Sequence, residues 1–226
     1  MRLIEEKRRR GVFLSVLGFG TGNLKDSTME KLADSGNGNY AYIDWLAEAR
    51  KVLVQQAGGT LVTIAKDVKI QVEFDPRRVA AYRLIGYENR VLTARDFDDD
   101  AKDAGEIGAG HSVTALYEVV PATAPEDELM TVKLRYKEPD GERSRLLVVA
   151  VKDAVMGPSP NLTLSTAVAG FGMLLRDSEH KGSLTYEQVL ALAREARGED
   201  AGGYRSELVK LVELAQGLSR DVSAGE

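Results

Sequence analysis

Three groups of residues in this 226-residue chain could carry chemistry: a glycine-rich turn, a histidine beside glycines, and a run of carboxylates. The turn, Gly18-Phe19-Gly20-Thr21-Gly22-Asn23, follows an apolar run and precedes a helical pattern. Backbone amides at such a helix start can cradle a phosphate. The dinucleotide fingerprint, however, needs glycine where Asn23 stands, and the Lys-Ser/Thr pair of a phosphate loop is missing. The glycines are therefore expected to turn the chain sharply at a strand end. His111 sits in Gly108-Ala109-Gly110-His111. A catalytic histidine needs a nucleophile and an orienting carboxylate within hydrogen-bond reach. Glu106 and Ser112 are near in sequence, but neighbouring residues on a strand point to opposite faces. The expectation is a histidine that fixes a loop by hydrogen bonds, and His180 is read as a solvated helix end. The carboxylates Asp96, Asp98, Asp99, Asp100, Asp103 and Glu106 invite a calcium reading, yet an EF-hand loop needs glycine sixth and glutamate twelfth. Counted from Asp96, those places hold Ala101 and Ile107. A solvated acidic loop is expected over residues 96–106. No residue is assigned a catalytic, cofactor-binding or metal-binding role, and no cofactor is expected. The alternative is a hydrolase-like enzyme, or a weak calcium binder, using His111 and the 96–106 loop.

Composition sets the class. Hydrophobic residues make up 43% and charged residues 29%, an ordinary globular balance. The net charge of −5, with both signs interspersed, argues against a nucleic-acid partner, which would want a concentrated basic face. The one basic cluster, Lys7-Arg8-Arg9-Arg10, reads as the polar face of a short helix. With no cysteine, disulfides, thiol catalysis and cysteine-ligated zinc are excluded. No apolar run approaches the roughly 18 residues of a membrane span. The charged amino terminus does not read as an export signal, and the compartment stays open.

The elements that must position these residues follow from hydrophobic periodicity. Residues 2–10 read as the last turns of a surface helix, and Val12–Leu17 as a buried strand of a parallel sheet. A helix is predicted from Ser27, with Glu30 completing a capping box, and Gly36-Asn37-Gly38 ends it. Tyr40–Ile43 is a second strand, and Asp44 caps another helix that Gly58-Gly59 terminates. From residue 60 the period becomes two: Val68–Phe74, Val113–Val119, Val132–Tyr136 and Leu146–Ala150 read as antiparallel strands, with Val79–Tyr87 a further strand largely apolar on both faces and Pro139-Asp140-Gly141 turning the last pair. After Gly157-Pro158-Ser159-Pro160 the pattern is helical. Ala167, Phe171, Leu174 and Leu175 lie on the first helix, Leu190 and Ala193 on the second, and Leu208, Leu211 and Leu214 on the third. Thr185–Gln188 has capping-box spacing. The expected class is α+β: a partial α/β layer over 1–59, an antiparallel β domain over 60–157, helices packing on both over 158–220, and a tail over 221–226.

Several words along the chain carry a family likeness. Leu17-Gly-Phe-Gly20, Glu30-Lys-Leu-Ala-Asp-Ser-Gly-Asn-Gly38 and Tyr40-Ala-Tyr-Ile-Asp44 resemble the closing part of a von Willebrand factor type A domain. Ala65-Lys-Asp-Val-Lys69, Tyr82-Arg-Leu-Ile-Gly-Tyr-Glu-Asn89, Gly108-Ala-Gly-His-Ser-Val-Thr-Ala-Leu-Tyr-Glu118 and Phe171-Gly-Met-Leu-Leu-Arg176 are similar to the carboxy-terminal region of bacterial YfbK-like proteins. The family's metal-ion-dependent adhesion site rests on an Asp-x-Ser-x-Ser loop after the first strand, with threonine and aspartate from later loops. Those parts lie upstream of this chain, and Asp221-Val-Ser-Ala-Gly225 follows no strand. What the resemblance implies is therefore a non-enzymatic protein-binding or scaffold module without ion-dependent binding, with the bacterial periplasm or envelope as the compartment of full-length relatives. Met1 inside an apparent helix suggests a downstream start or a gene fragment. The strand at 12–17 would then lack neighbours on one edge, and such an edge invites self-association or capture of a protein partner.

Overall fold

A computed structural model describes residues 2–8, 10–20, 22, 24–87, 91–122, 128–152 and 157–224. Arg9, Thr21 and Asn23, on which the basic-cluster and glycine-turn readings partly fall, lie outside the described residues. The fold is α+β, and the chain divides into two compact units. One comprises residues 1–78, 91–113 and 123–152; the other comprises 79–90, 114–122 and 153–226.

The first unit opens with helix α1 (Arg2–Arg8), strand β1 (Val16–Phe19), helix α2 (Asp26–Ser35) and strand β2 (Tyr40–Ile43). β1 and β2 pair in parallel, Val16 opposite Tyr40 and Phe19 opposite Ile43, so α2 is the crossover between them. The strand expected at 12–17 begins only at Val16; Val16 and Leu17 are half-buried, Gly18 is buried and Phe19 is exposed. The reason is the turn that ends α2. Leu14 donates its N–H to the Gly36 carbonyl at 2.9 Å, and a Cβ on Gly38 would fall 2.0 Å from the Leu14 oxygen. The backbone before Val16 is thus held against the 36–38 turn, where Asn37 takes φ +51°, and is unavailable to a ladder. The Ser27–Glu30 capping box does not form. The helix starts at Asp26, one residue earlier than read, with Lys25 as an N-cap that makes no side-chain bond, and the Asp26 carboxylate accepts from the Tyr40 hydroxyl.

Helix α3 (Leu46–Arg50) continues into a π-turn, Lys51–Gln55, and then helix α4 (Ala57–Leu61). Asp44 is not its cap, since Trp45 holds that place without a side-chain bond, and Gly58-Gly59 lie inside α4 rather than ending a helix. Strand β3 (Thr63–Phe74) follows, and helix α5 (Ala94–Asp98), strand β5 (Gly105–Gly108), strand β7 (Glu128–Lys137) and strand β8 (Ser144–Lys152) complete the unit. They form an antiparallel four-stranded sheet in the order β5-β3-β7-β8. α5 and β5 occupy the stretch expected to be loop.

The second unit holds the antiparallel pair β4 (Val79–Ile85) and β6 (Leu116–Pro121), with helices α6 (Pro160–Leu175), α7 (Tyr186–Glu195) and α8 (Tyr204–Ala224). Strands of the middle block are therefore shared between the two units. Ser159 caps α6 through the Leu162 N–H, with Pro160 in the first turn, and the Thr185–Gln188 capping box forms as read. Ala167, Val189, Leu190, Ala193 and Val212 make the helical core, flanked by Phe171, Leu174 and Leu208. Leu175, Leu211 and Leu214, expected inside, are 59%, 49% and 61% exposed. On α8 Leu208 packs against the core as read, but the stripe continues through Val209 and Val212 rather than Leu211 and Leu214. Helix continues to Ala224 where a tail was expected, and Gly225 and Glu226 lie outside the described residues.

Candidate functional site

The four-stranded sheet has two chemically opposite faces, and strand register sorts the residues between them. Lys69 pairs with Arg135, Gln71 with Lys133 and Glu73 with Thr131; across the next ladder Arg135 faces Leu146 and Lys133 faces Val148. Directly opposed residues share a face, so one face carries Lys69, Lys133, Arg135 and Lys137. The alternate positions are Ile70, Val72 and Phe74 on β3, Met130, Val132, Leu134 and Tyr136 on β7, and Leu147, Val149 and Val151 on β8. Apart from Arg145 at one end of β8, this second face is uncharged across its three strands.

The charged face is closed by the acidic segment. Thr93 and Asp96 form a capping box that starts α5 and sets its direction over the sheet. Lys69, only 2% exposed, donates its ammonium to the Asp96 carbonyl at 3.0 Å and to that of Asp99 at 2.5 Å. Arg135 reaches Asp98 at 3.2 Å and Asp100 at 3.0 Å, and its guanidinium lies 5.8 Å from the Phe97 ring centre. Lys137 pairs with Asp67 at 2.7 Å and also donates to the Asp100 carbonyl at 2.8 Å. Asp96 and Asp100 are held below the usual carboxylate range, chiefly by their hydrogen bonds from Thr93 and Ser144. The segment read as a solvated acidic loop is exposed over most of its length, but it is anchored on the sheet, its Asp98 and Asp100 carboxylates by Arg135 and its backbone carbonyls by Lys69 and Lys137. The signal that could have found this is the Lys133-Leu-Arg135-Tyr-Lys137 alternation, which puts three cations on one face.

Asp103 and Glu106 turn the other way, toward the amino-terminal layer. Arg8 bonds Asp103 at 2.7 Å and the Asn37 side-chain oxygen at 3.1 Å, and the Asn37 amide donates to Glu106. Arg8 is thus a structural ion-pair partner, while Arg10 bonds Glu6 along α1 at 2.9 Å. Burial pushes the Glu106 carboxyl up to about 8, helped by the charges of Asp103 and Asp67 and opposed by Asn37 and Arg8. Among the described residues, no cluster of three or more His, Asp or Glu side chains is arranged to hold a metal ion.

His111 is exposed, and among the described residues its imidazole has no hydrogen-bond partner. The loop is held by backbone instead: Ala109 N–H to Val62 at 2.8 Å and His111 N–H to Gly108 at 3.0 Å. Glu106, its nearest carboxylate in sequence, is engaged by Asn37. His180 is exposed at a turn and lies 3.5 Å from Glu179. Gly20 takes φ +85°, in the left-handed turn region, and its carbonyl accepts from Tyr42 at 2.9 Å.

The apolar face is open where it meets β8. Ile70, Leu147 and Val149 are 48%, 51% and 58% exposed. Among the described residues, β8 is the terminal strand of the sheet, hydrogen-bonded to β7 alone. On its other face Leu146 and Val148 are also about half exposed, 49% and 55%, so four consecutive apolar residues line this edge.

Comparison with known proteins places this sheet in a family. Residues 59–127 and 122–218 match the family described as "Uncharacterized protein YfbK, C-terminal", and the chain belongs to that family. It is 40% identical over 240 aligned positions to the uncharacterized protein YfbK of Escherichia coli strain K12. That alignment covers 98% of this chain and 42% of the relative, so the chain spans less than half the length of the curated protein it matches. Among solved structures, it is similar to the ArnB paralog VWA2 from Sulfolobus acidocaldarius, at 15% identity and TM-score 0.38 over 89% of this chain and 50% of that one. It is also similar to a von Willebrand factor type A protein from Catenulispora acidiphila, at 13% identity and TM-score 0.42 over 92% and 53%.

Proposed function

We propose that this chain is a non-enzymatic protein-binding or scaffold module that receives a partner strand along β8. The observation that carries this is the edge itself: a nine-residue terminal strand with Leu146, Leu147, Val148 and Val149 all about half exposed. Monomeric proteins blunt such edges with charge, proline or a bulge. Charge stands only at the ends of this one, as Arg145 and Lys152. Magnitudes say what kind of contact is feasible. Covering the exposed halves of Ile70, Leu147 and Val149 contributes about 1 kcal/mol each, less than the 4 kcal/mol or more that association costs. Ladder hydrogen bonds along the edge, at about 1 kcal/mol each, make up the difference, so strand addition is favoured over simple face-to-face contact. The resulting affinity is modest. A place at the cell envelope, implied by the family resemblance, belongs to the same reading.

Sedimentation velocity over a wide concentration range tests it, with a second copy as the first partner. Concentration-dependent association is expected, and Val149→Glu should abolish it while leaving the far-ultraviolet circular dichroism unchanged. A wild-type chain that stays monomeric at the highest concentration, or a Val149→Glu chain that associates equally, would count against the proposal.

A further inference from the structure

The nine residues of β8 are complementary to themselves, and their order says how a second copy fits along this edge. The inference rests on the reading of β8 as a binding edge and adds the partner and the register. Among the described residues, the strand at the other end of the sheet is β5, whose four residues offer a much shorter ladder.

The β7–β8 register assigns each side chain of β8 to a face. Ser144, Leu146, Val148, Ala150 and Lys152 stand on the charged face, and Arg145, Leu147, Val149 and Val151 on the apolar one. A two-fold axis normal to the sheet runs two β8 strands antiparallel and keeps like faces together. An axis lying along the strand runs them parallel and sets the charged face of one copy beside the apolar face of the other. Antiparallel addition centred on Val148 pairs the strand over its full length: Val148 meets itself, Leu147 meets Val149 and Leu146 meets Ala150. No two charged residues are then opposed. A slip of one residue mismatches the faces. A slip of two carries Val151 and Lys152, or Ser144 and Arg145, past the end of the partner strand.

The ends of the strand complement each other in charge. Lys152 is exposed, and among the described residues its ammonium has no partner; Glu128, opposite it on β7, accepts from Thr131 at 3.0 Å. In the register centred on Val148, Lys152 comes opposite Ser144 of the second copy. Ser144 donates to Asp100, and at that corner the single guanidinium of Arg135 serves two exposed carboxylates, Asp98 at 3.2 Å and Asp100 at 3.0 Å. The corner has use for a second cation. Arg145 needs no partner from the other copy, since Glu138 holds it at 3.0 Å.

We propose that two copies of this chain join through antiparallel β8 strands centred on Val148, with Lys152 of each copy at the Asp98–Asp100 corner of the other. The two four-stranded sheets become one continuous sheet.

The chain has no cysteine, so single thiols can be placed without background. Opposed pairs in an antiparallel ladder alternate between wide and close, so either the 148–148 pair or the 147–149 pair lies at the close sites. Under mild oxidation, Val148→Cys should cross-link to itself, or a mixture of Leu147→Cys and Val149→Cys should cross-link at least tenfold faster than either variant alone. In sedimentation velocity, Lys152→Glu should associate several-fold more weakly, Lys152→Arg should match the wild type, and association should weaken as salt rises. A wild-type chain that remains monomeric overturns this proposal together with the reading it rests on. Three results would overturn the pairing alone, in a dimer that Val149→Glu still abolishes. They are the absence of both cross-links, fastest cross-linking of Leu147→Cys or Val149→Cys to itself, and undiminished association of Lys152→Glu.

Discussion

Glu106 is the residue whose ionisation says most about how the first unit is held together. Its carboxyl sits between Asn37 of the α2 turn and the charges of Asp103, Asp67 and Arg8, with Lys137 neutralising Asp67 from β7. Its folded pKa of about 8 stands above the ordinary 4.5 of a glutamate. The folded state therefore holds this proton more tightly than the unfolded chain does. Its contribution is fully present below about pH 4.5 and is lost as pH rises through about 8. Glu106→Gln keeps an acceptor for Asn37 without the charge. We expect it to remove this loss and to raise stability at pH 8.5 by about 1–2 kcal/mol, the shift being discounted for partial exposure. Urea unfolding at pH 5 and pH 8.5 checks this; equal differences between variant and wild type at the two pH values would refute it. The same residue shows what spacing cannot reveal. Glu106 was legible as a carboxylate in an acidic run, but its partner Asn37 lies 69 residues away, and no local pattern links them.

At the scale of elements, local signals held where the bonds that fulfil them are local. The Thr185–Gln188 capping box closes within one turn, and the β7–β8 hairpin folds about Pro139-Asp140-Gly141 in the register that puts Leu134 opposite Leu147. Thr185→Ala should destabilise the helical core by about 1 kcal/mol, seen as a lower denaturation midpoint without change in slope; an unchanged midpoint would show that α7 does not depend on its cap. Signals failed where tertiary packing set an element's start or its buried face. The Ser27–Glu30 spacing is as good in sequence, but the helix begins one residue earlier, with Lys25 as N-cap and the Asp26 carboxylate bonded to Tyr40. On α8 the leucines at 211 and 214 are legible as an apolar stripe, yet the helix turns Val209 and Val212 toward α7. Periodicity reports that an apolar face exists, and two adjacent stripes leave open which one is covered.

For the whole molecule, the division into two compact units carries a prediction. The helical core of Ala167, Val189, Ala193 and Val212 lies entirely within one unit. Val189, with no exposed surface, loses two methyl groups in Val189→Ala and should cost that unit about 2 kcal/mol. Differential scanning calorimetry is expected to show two transitions, of which the substitution lowers one. A single transition moving as a whole would mean that the units unfold cooperatively. The order of elements along the chain does not reveal this division, because β4 and β6 leave the sheet formed by β3, β5, β7 and β8 although β3, β4, β6, β7 and β8 all read as strands of one antiparallel block. Alternation states that a strand has two unlike faces. It does not state which strand lies beside it.

The α+β class, most strands and the three carboxy-terminal helices, and the family were within reach of the amino-acid order alone, because each depends on residues a few positions apart or on whole words of sequence. Tertiary structure alone decided that the acidic run pairs its carboxylates with Arg135 and offers backbone carbonyls to Lys69 and Lys137, that Glu106 meets Asn37, and that β8 ends its sheet among the described residues. Those outcomes depend on Coulomb attraction, desolvation and hydrogen bonding between groups tens of residues apart, and such energies exist only once the chain has brought the groups together.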